Sequence, residues 1–295
     1  MTNVKNLIEL ANNGDANAQY ELGKRHLTGE GLEIDSKEAV KWFKLASEQK
    51  HPKACCELAA CYLLGIELGT FFQDAANLLK VASEGGVSWA KHLLGERYFV
   101  GKGVEQDEAK AAELFKEAAL CLKAEAEQGD TMAMYHLGSH YSRDDLNLAN
   151  PDEANKWYAM AIDGLRAMAD SGNAEAQFML ACCYKEGLGV EANTDEALRL
   201  YHLAADRGHA RSQAALGLEY VLLKEYDKSL KYLELAAVHG FPKIRLMIRR
   251  HYKEGLGVEK DDKKASEWFA LSMLAALGKV EIDEETLAMY SKAHK

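Results

Sequence analysis

Residues 176–208, AQFMLACCYKEGLGVEANTDEALRLYHLAADRG, decide how the whole chain is read. Ala176, Leu180 and Tyr184 recur every four residues and so stack on one side of a helix. Gly187 and Gly189 end that helix, where a left-handed residue is needed. Asn193 is placed to cap a second helix, with Glu196 three residues on to complete a capping box. Ala197, Leu200, Tyr201 and Ala204 form the apolar stripe of the second helix, and Gly208 closes it. One such hairpin cannot bury its own apolar faces, so it requires neighbours on both sides.

The spacing supplies them. The alanine that opens the first helix falls at Ala18, Ala54, Ala90, Ala133 and Ala176, with Ser212 and Ile244 in the same slot. Four residues later stand Leu22, Leu58, Leu94, Leu137, Leu180, Leu216 and Ile248. The next residue is small in the first six copies: Gly23, Ala59, Gly95, Gly138, Ala181 and Gly217. Eight after the start comes His26 and then a tyrosine in each later copy, from Tyr62 to Tyr252. Four before it stands a glycine, except at Lys50. Seven units at a period of 32 to 43 residues are a helical repeat array.

The pattern A-x-x-x-L-G-x-x-Y-x-x-G-x-G-V, a capping Asp or Asn, then A-x-x-W/L-x-x-x-A-A and G closely resembles Sel-one-like repeats, relatives of the tetratricopeptide repeats. GERYFVGKGVEQDEAKAAELFKEAA from Gly95 and HYKEGLGVEKDDKKASEWFALSMLAA from His251 carry it best, beside the central copy. The resemblance covers about residues 4 to 278. It implies an all-α fold: a right-handed α/α superhelical solenoid of seven helix-pair repeats with terminal capping helices. The expected bounds are a capping half-repeat at 1–14, repeats at 15–50, 51–86, 87–129, 130–172, 173–208, 209–240 and 241–278, and a C-terminal capping helix at 279–295. Leu7, Leu10 and Ala11 are expected to form the covering face of the first cap. Repeats three and four each carry seven extra residues, two helical turns, which lengthens their second helices without rotating the stripe. Repeat six loses four residues from its loop.

Formal net charge is −10, and no basic run or aromatic-basic interleaving occurs, so nucleic acid is not an expected partner. MTNVKNLIEL lacks the apolar core of a signal peptide, and no 18-residue apolar stretch is present for membrane insertion. Secreted cysteine-rich relatives of the resembled family carry a Cys pair in each repeat. Here five of the six cysteines crowd onto the first helices of repeats two and five, so reduced thiols and a cytoplasmic location are expected.

Candidate chemistry is sparse. Ser47–Lys50 and Ser88–Lys91 match the S-x-x-K of penicillin-interacting enzymes, but no S-D-N or K-T-G completes such a site. A penicillin-binding or β-lactamase-like hydrolase is therefore the weakest reading. His136 and His140 lie four apart on one helix, without the Glu of a metalloprotease or a placed third ligand, so no metal or other cofactor is expected. The paired loop glycines recur in one slot after a helix and are turn glycines rather than phosphate loops. Trp42, Trp157 and Trp268 share a core slot, while Trp89 is expected to be partly exposed. Phe71 and Phe72, in the odd loop of repeat two, either fill a gap or offer an aromatic contact.

Placing the ruler residue at 0°, positions +3, +7 and +10 of each first helix fall near 300°, away from the packing slots. This column changes residue type between repeats. It is expected to be the inner groove that binds a partner: Arg25, Glu57, Leu93, Arg97, His136, His140, Arg143, Met179, Glu186, Glu219, Met247 and His251. Leu93, Met179 and Met247 are expected to be exposed, and Leu93 and Met179 would supply the apolar anchors for the partner. Arg97, Arg143 and the two histidines would attract an acidic segment. The function expected is a non-enzymatic scaffold or adaptor for a protein or peptide. The resembled family also allows the alternative of an immunity protein that neutralises a secreted toxin.

Overall fold

The computed structural model describes residues 4–65, 71–239 and 241–276. The expected C-terminal capping helix, and residues 66–70 of the loop in repeat two, lie outside the described residues. Among the described residues the regular elements are helical and none is a strand. A single helix, α1 (Val4–Asn12), precedes seven pairs: α2 (Ala16–Thr28) with α3 (Ser36–Glu48), α4 (Pro52–Leu64) with α5 (Phe72–Glu84), α6 (Ser88–Val100) with α7 (Glu108–Glu127), α8 (Thr131–Tyr141) with α9 (Pro151–Asp170), α10 (Ala174–Glu186) with α11 (Thr194–Ala205), α12 (Ala210–Leu222) with α13 (Tyr226–Val238), and α14 (Pro242–Glu254) with α15 (Asp262–Ala276). At 20 residues each, α7 and α9 are seven longer than α3, α5 and α13, as the insertions require. The chain forms two compact units, Met1–Ala60 with Phe72–Leu200 and Cys61–Phe71 with Tyr201–Lys295.

In the first unit the small residue after the core leucine marks where the helices of a pair meet. A Cβ on Gly95 would stand 2.7 Å from the Phe115 ring, and one on Gly138 would stand 2.8 Å from the Tyr158 ring. Only hydrogen fits there, so an aromatic ring of the second helix packs directly on the backbone of the first. The loop is set by two more bonds. Gly101 and Gly187 adopt left-handed φ and return their N–H to Arg97 O and Cys183 O, as helix C-caps do. The capping residue of the next helix then donates its N–H to the carbonyl of the residue in the tyrosine slot: Asp35 to His26 (2.9 Å), Asp107 to Tyr98 (2.9 Å), Asn150 to Tyr141 (2.8 Å) and Asn193 to Tyr184 (2.8 Å).

That bond changes the reading of the capping box. Asn193 Oδ1 accepts from Glu196 N at 3.0 Å, which is the expected cap. The reciprocal half does not form, because the Asn193 N–H is already used by Tyr184 and the Glu196 carboxylate pairs with Arg199. In α1, Leu7 and Ala11 pack on Ala18, Leu22 and Trp42 as expected, but Leu10 is 40% exposed: it lies three residues on from Leu7 and past the edge of the narrow contact stripe. Repeats are stapled by a side chain one residue after the ruler slot. Gln19 and Gln177 donate to the carbonyls of Ala11 and Ala169, eight residues back, at 3.1 and 3.0 Å, tying each first helix to the end of the helix before it.

The second unit follows the same rules. Gly217 meets Leu233, where a Cβ would fall 2.5 Å from its methyl carbon. Gln213 donates to Ala205 O at 3.2 Å. Glu225 N donates to Tyr220 O at 2.9 Å across the shortened loop, with Lys224 in left-handed φ where longer loops use glycine. Trp268, Tyr252, Ile248 and Leu233 centre its core.

Gly138→Ala is expected to destabilise the protein by about 1–3 kcal/mol, the usual cost of overpacking, because the added methyl must displace the Tyr158 ring. Chemical denaturation read by circular dichroism measures it, and a change under ~0.5 kcal/mol would show that the pair has slack.

Candidate partner-binding face

The column expected to form the groove divides by depth. In the first unit, Arg25, Glu57, Leu93, Arg97, His136 and Arg143 are half-buried and Glu186 is exposed. His140 and Met179 are buried at 2% and 5%. In the second unit, Met247 is half-buried while Glu219 and His251 are buried at 8% and 1%. The exposure expected of Met179 is therefore corrected, and His140, Glu219 and His251 are not presented to solvent. For His140, Glu219 and His251 the reason is partly angular: they occupy position +7, which falls near 340°, about 20° from the ruler residue, and is short of solvent unless the side chain is long, as in half-buried Arg25 and Arg97. Met179 occupies +3 and is covered by packing that the helical wheel does not show. His251 accordingly bonds Ser229 Oγ at 3.2 Å and Leu256 O at 2.9 Å. With Met247 it borders a cleft of about 40 Å³ lined also by Val221, Tyr226, Arg250 and Leu256, room for a water or a methyl group.

Repeats three and four bring several of the first-unit residues together. His92 and His140 face each other with Nδ1 atoms 3.0 Å apart, one donating to the other, against the Phe115 ring. Trp89, half-buried as expected, is stacked between His92 (4.4 Å, 12°) and His136 (4.3 Å, 13°). Glu96, buried at 8%, lies 3.4 Å from His92 Nε2, 3.2 Å from Arg97 Nη2 and in contact with Arg143 Nη1. Arg143 also holds Asp145 through Nε and Nη2 at 2.8 and 2.9 Å. Burial alone would raise the Glu96 carboxyl. The hydrogen bond and charge of His92, with Arg143 and Arg97, bring it below the usual range instead. Asp145 raises the Arg143 guanidinium first, with Glu96 adding to it.

This arrangement corrects the expected cationic stripe. Two arginines face two carboxylates, so the cluster is balanced. The missed residue is Glu96, in slot +6, outside the chosen column. Its position four residues after His92 and next to Arg97 was the available signal. The candidate catalytic pair is likewise engaged: Ser88 Oγ donates to Glu125 at 2.7 Å and Lys91 pairs with Glu117, each taken by a separate acid of α7. Ser47 Oγ donates to its own helix at Lys44 O, 2.8 Å away. Phe71 is half-buried and tilted on Tyr62, 5.5 Å between rings; Phe72, also half-buried, lies under Lys102 at 5.4 Å. No group of three or more metal-ligating side chains occurs among the described residues. No described helix is long and apolar enough to cross a membrane.

Stacked helix pairs with a varied face and a repeated core define an α-helical repeat protein of the protein-interaction class. The chain belongs to the Sel1 repeat family, whose model matches residues 16–51, 52–86, 90–121, 131–164, 174–209, 210–240 and 250–272. Sel1 repeat proteins are protein-interaction scaffolds. Among solved structures, the chain is similar to c5321, a protective antigen of uropathogenic Escherichia coli displaying an SLR fold, at 27% identity over 91% of this chain and 56% of that one, with a TM-score of 0.40. It thus spans little more than half of that protein's length. It is similar to a Sel1 repeat protein from Oxalobacter formigenes at 21% identity, over 99% and 90% of the two chains, with a TM-score of 0.39. It is also similar to the immunity protein Pa5087 from Pseudomonas aeruginosa at 20% identity, over 78% and 84%, with a TM-score of 0.47. No curated protein matches the chain.

Burial lowers the His140 pKa to about 4, with the neighbouring His92 adding to it. Below the ordinary histidine value of 6.5 the unfolded chain takes up a proton that the fold refuses. Stability therefore falls as pH drops from about 6.5 to about 4, by an amount on the order of 2–3 kcal/mol. His140→Asn, which keeps a hydrogen-bonding atom near the Nδ1 position, is expected to flatten this part of the curve of unfolding free energy against pH. An unchanged slope would assign the effect to another group.

Proposed function

We propose that the chain is a non-catalytic scaffold that docks a protein or peptide partner on the first helices of the first unit, centred on Leu93, Arg97, His136 and Arg143 and flanked by Arg25, Glu57 and Glu186. One observation carries this reading. Along a single helix face the packing slots keep one residue type from copy to copy, while the half-exposed slots vary among Leu, Arg, His and Glu, with Arg25 and Arg97 the same residue in one slot. A surface whose chemistry changes at each repeat is suited to reading a partner that also changes along its length. Met179 and His140 support the face from beneath; the second-unit residues Glu219, Met247 and His251 are not part of the proposal.

The balanced charges redefine the partner. An acidic segment would have to draw Arg97 or Arg143 away from Glu96 or Asp145, so the face favours mixed polar and apolar surface over a strongly acidic one. Absence of catalysis is supported by the engagement of Ser88 and Lys91 with separate acids. A reducing, cytoplasmic setting is supported by burial of Cys55, Cys56, Cys61 and Cys183 in the apolar core.

Affinity capture from the source cell, followed by Leu93→Ser with Glu186→Arg, tests the reading without stranding buried Glu96. Retention of the partner is expected to drop at least about tenfold, equivalent to about 1.4 kcal/mol, with the melting temperature nearly unchanged. Normal retention by this variant, with loss in Phe71→Ser, would place the contact on the loop edge instead. A single very tight partner, with no wider set, would turn the scaffold into an inhibitor of the immunity kind.

A further inference from the structure

We propose that Glu30 and Asn173 form a latch that holds repeat one against repeat five within the first unit. In an ordinary helical array each repeat touches only its neighbours. Here α2 of repeat one contacts α10 of repeat five, and the Asn173 amide donates to Glu30 Oε1 across 143 positions of sequence.

The identity of residue 173 fits this role. The same slot before two other first helices holds Asp15 and Asp130, which accept from Ala18 N at 2.7 Å and Ala133 N at 2.9 Å and are exposed. Asn173 makes the same cap, its Oδ1 accepting from Ala176 N at 2.9 Å, yet it is buried at 2%. As a cap, aspartate would serve equally well. Against Glu30 it would set two carboxylates together, whereas the asparagine amide caps with its oxygen and donates with its nitrogen. Glu30 is held on a tip between Gly29 and Gly31, both in left-handed φ (76° and 72°), which aims its side chain without help from a helix.

A single charge-assisted hydrogen bond shifts an opening equilibrium by roughly 10- to 100-fold. That suits a closure that can be released. Its state would set how far the first helices of repeats one and five separate, and hence the curvature of the face between them.

The test is amide hydrogen exchange on the full chain, with no partner present, so the latch can fail independently of the partner-binding reading. Asn173→Asp keeps the helix cap and places like charges together. It should speed exchange at residues 26–31 and 174–180 by at least about fivefold relative to the rest of the unit. Adding Glu30→Gln should restore protection, because the glutamine amide can donate to the new carboxylate in the reverse sense. Glu30→Ala, which leaves the cap untouched, should reproduce the loss and serves if Asn173→Asp fails to fold. Unchanged exchange in Glu30→Ala overturns the latch, as does an Asn173→Asp defect that Glu30→Gln does not relieve.

Discussion

The structure depends on how closely the two helices of a pair approach. At Gly95 and Gly138 the backbone of the first helix meets an aromatic ring from the second, leaving no space for a methyl group. In those repeats the contact sets how close the two helices lie and restricts their rotation about their axes. The other faces of the pair then have assigned roles. One receives the preceding repeat, one receives the following repeat, and one is left outside these contacts.

Loop geometry follows from the same constraint. With the helices pinned, the connection must turn the chain sharply, through a left-handed residue after α2, α6, α10 and α14, and deliver a cap to the second helix. The bond from the capping N–H to the carbonyl in the tyrosine slot closes that path at 2.8 to 2.9 Å in repeats of both loop lengths. Repeat four lacks the glycine pair and solves the problem with a short 3₁₀ turn, Asp144–Leu146, followed by Asn147 at φ 56°. Lys50, the exception in the glycine slot between repeats, adopts φ 59° all the same. The backbone path is thus held by tertiary contacts even where the residue is not the one that would choose it unaided.

The face proposed for partner binding carries the opposite design. Its charges are balanced internally by Glu96 and Asp145, which holds Arg97 and Arg143 in place before any partner arrives. Rigid, paired side chains lose less freedom on binding than solvated ones, so such a face favours fit over long-range attraction. The seven-residue extensions of α7 and α9 stand in the repeats that build this cluster.

The period, the helix pairs, the lengthened helices and the core positions of Trp42, Trp157 and Trp268 were legible in the sequence, because each is a local or periodic property. A leucine, glycine and tyrosine recurring at fixed offsets state which face packs, whatever stands opposite. Depth was not legible to the same degree. The helical wheel places +7 at the border between groove and core, and the preceding repeat, through His92 and Ser229, completes the burial of His140 and His251. Charge was less legible still, since Glu96 and Arg143 come from different repeats and their pairing depends on the distance between helices. The Glu30–Asn173 contact lies wholly outside the repeat pattern. A nearest-neighbour period describes how each unit meets the next, and accumulated curvature alone decides that the first meets the fifth.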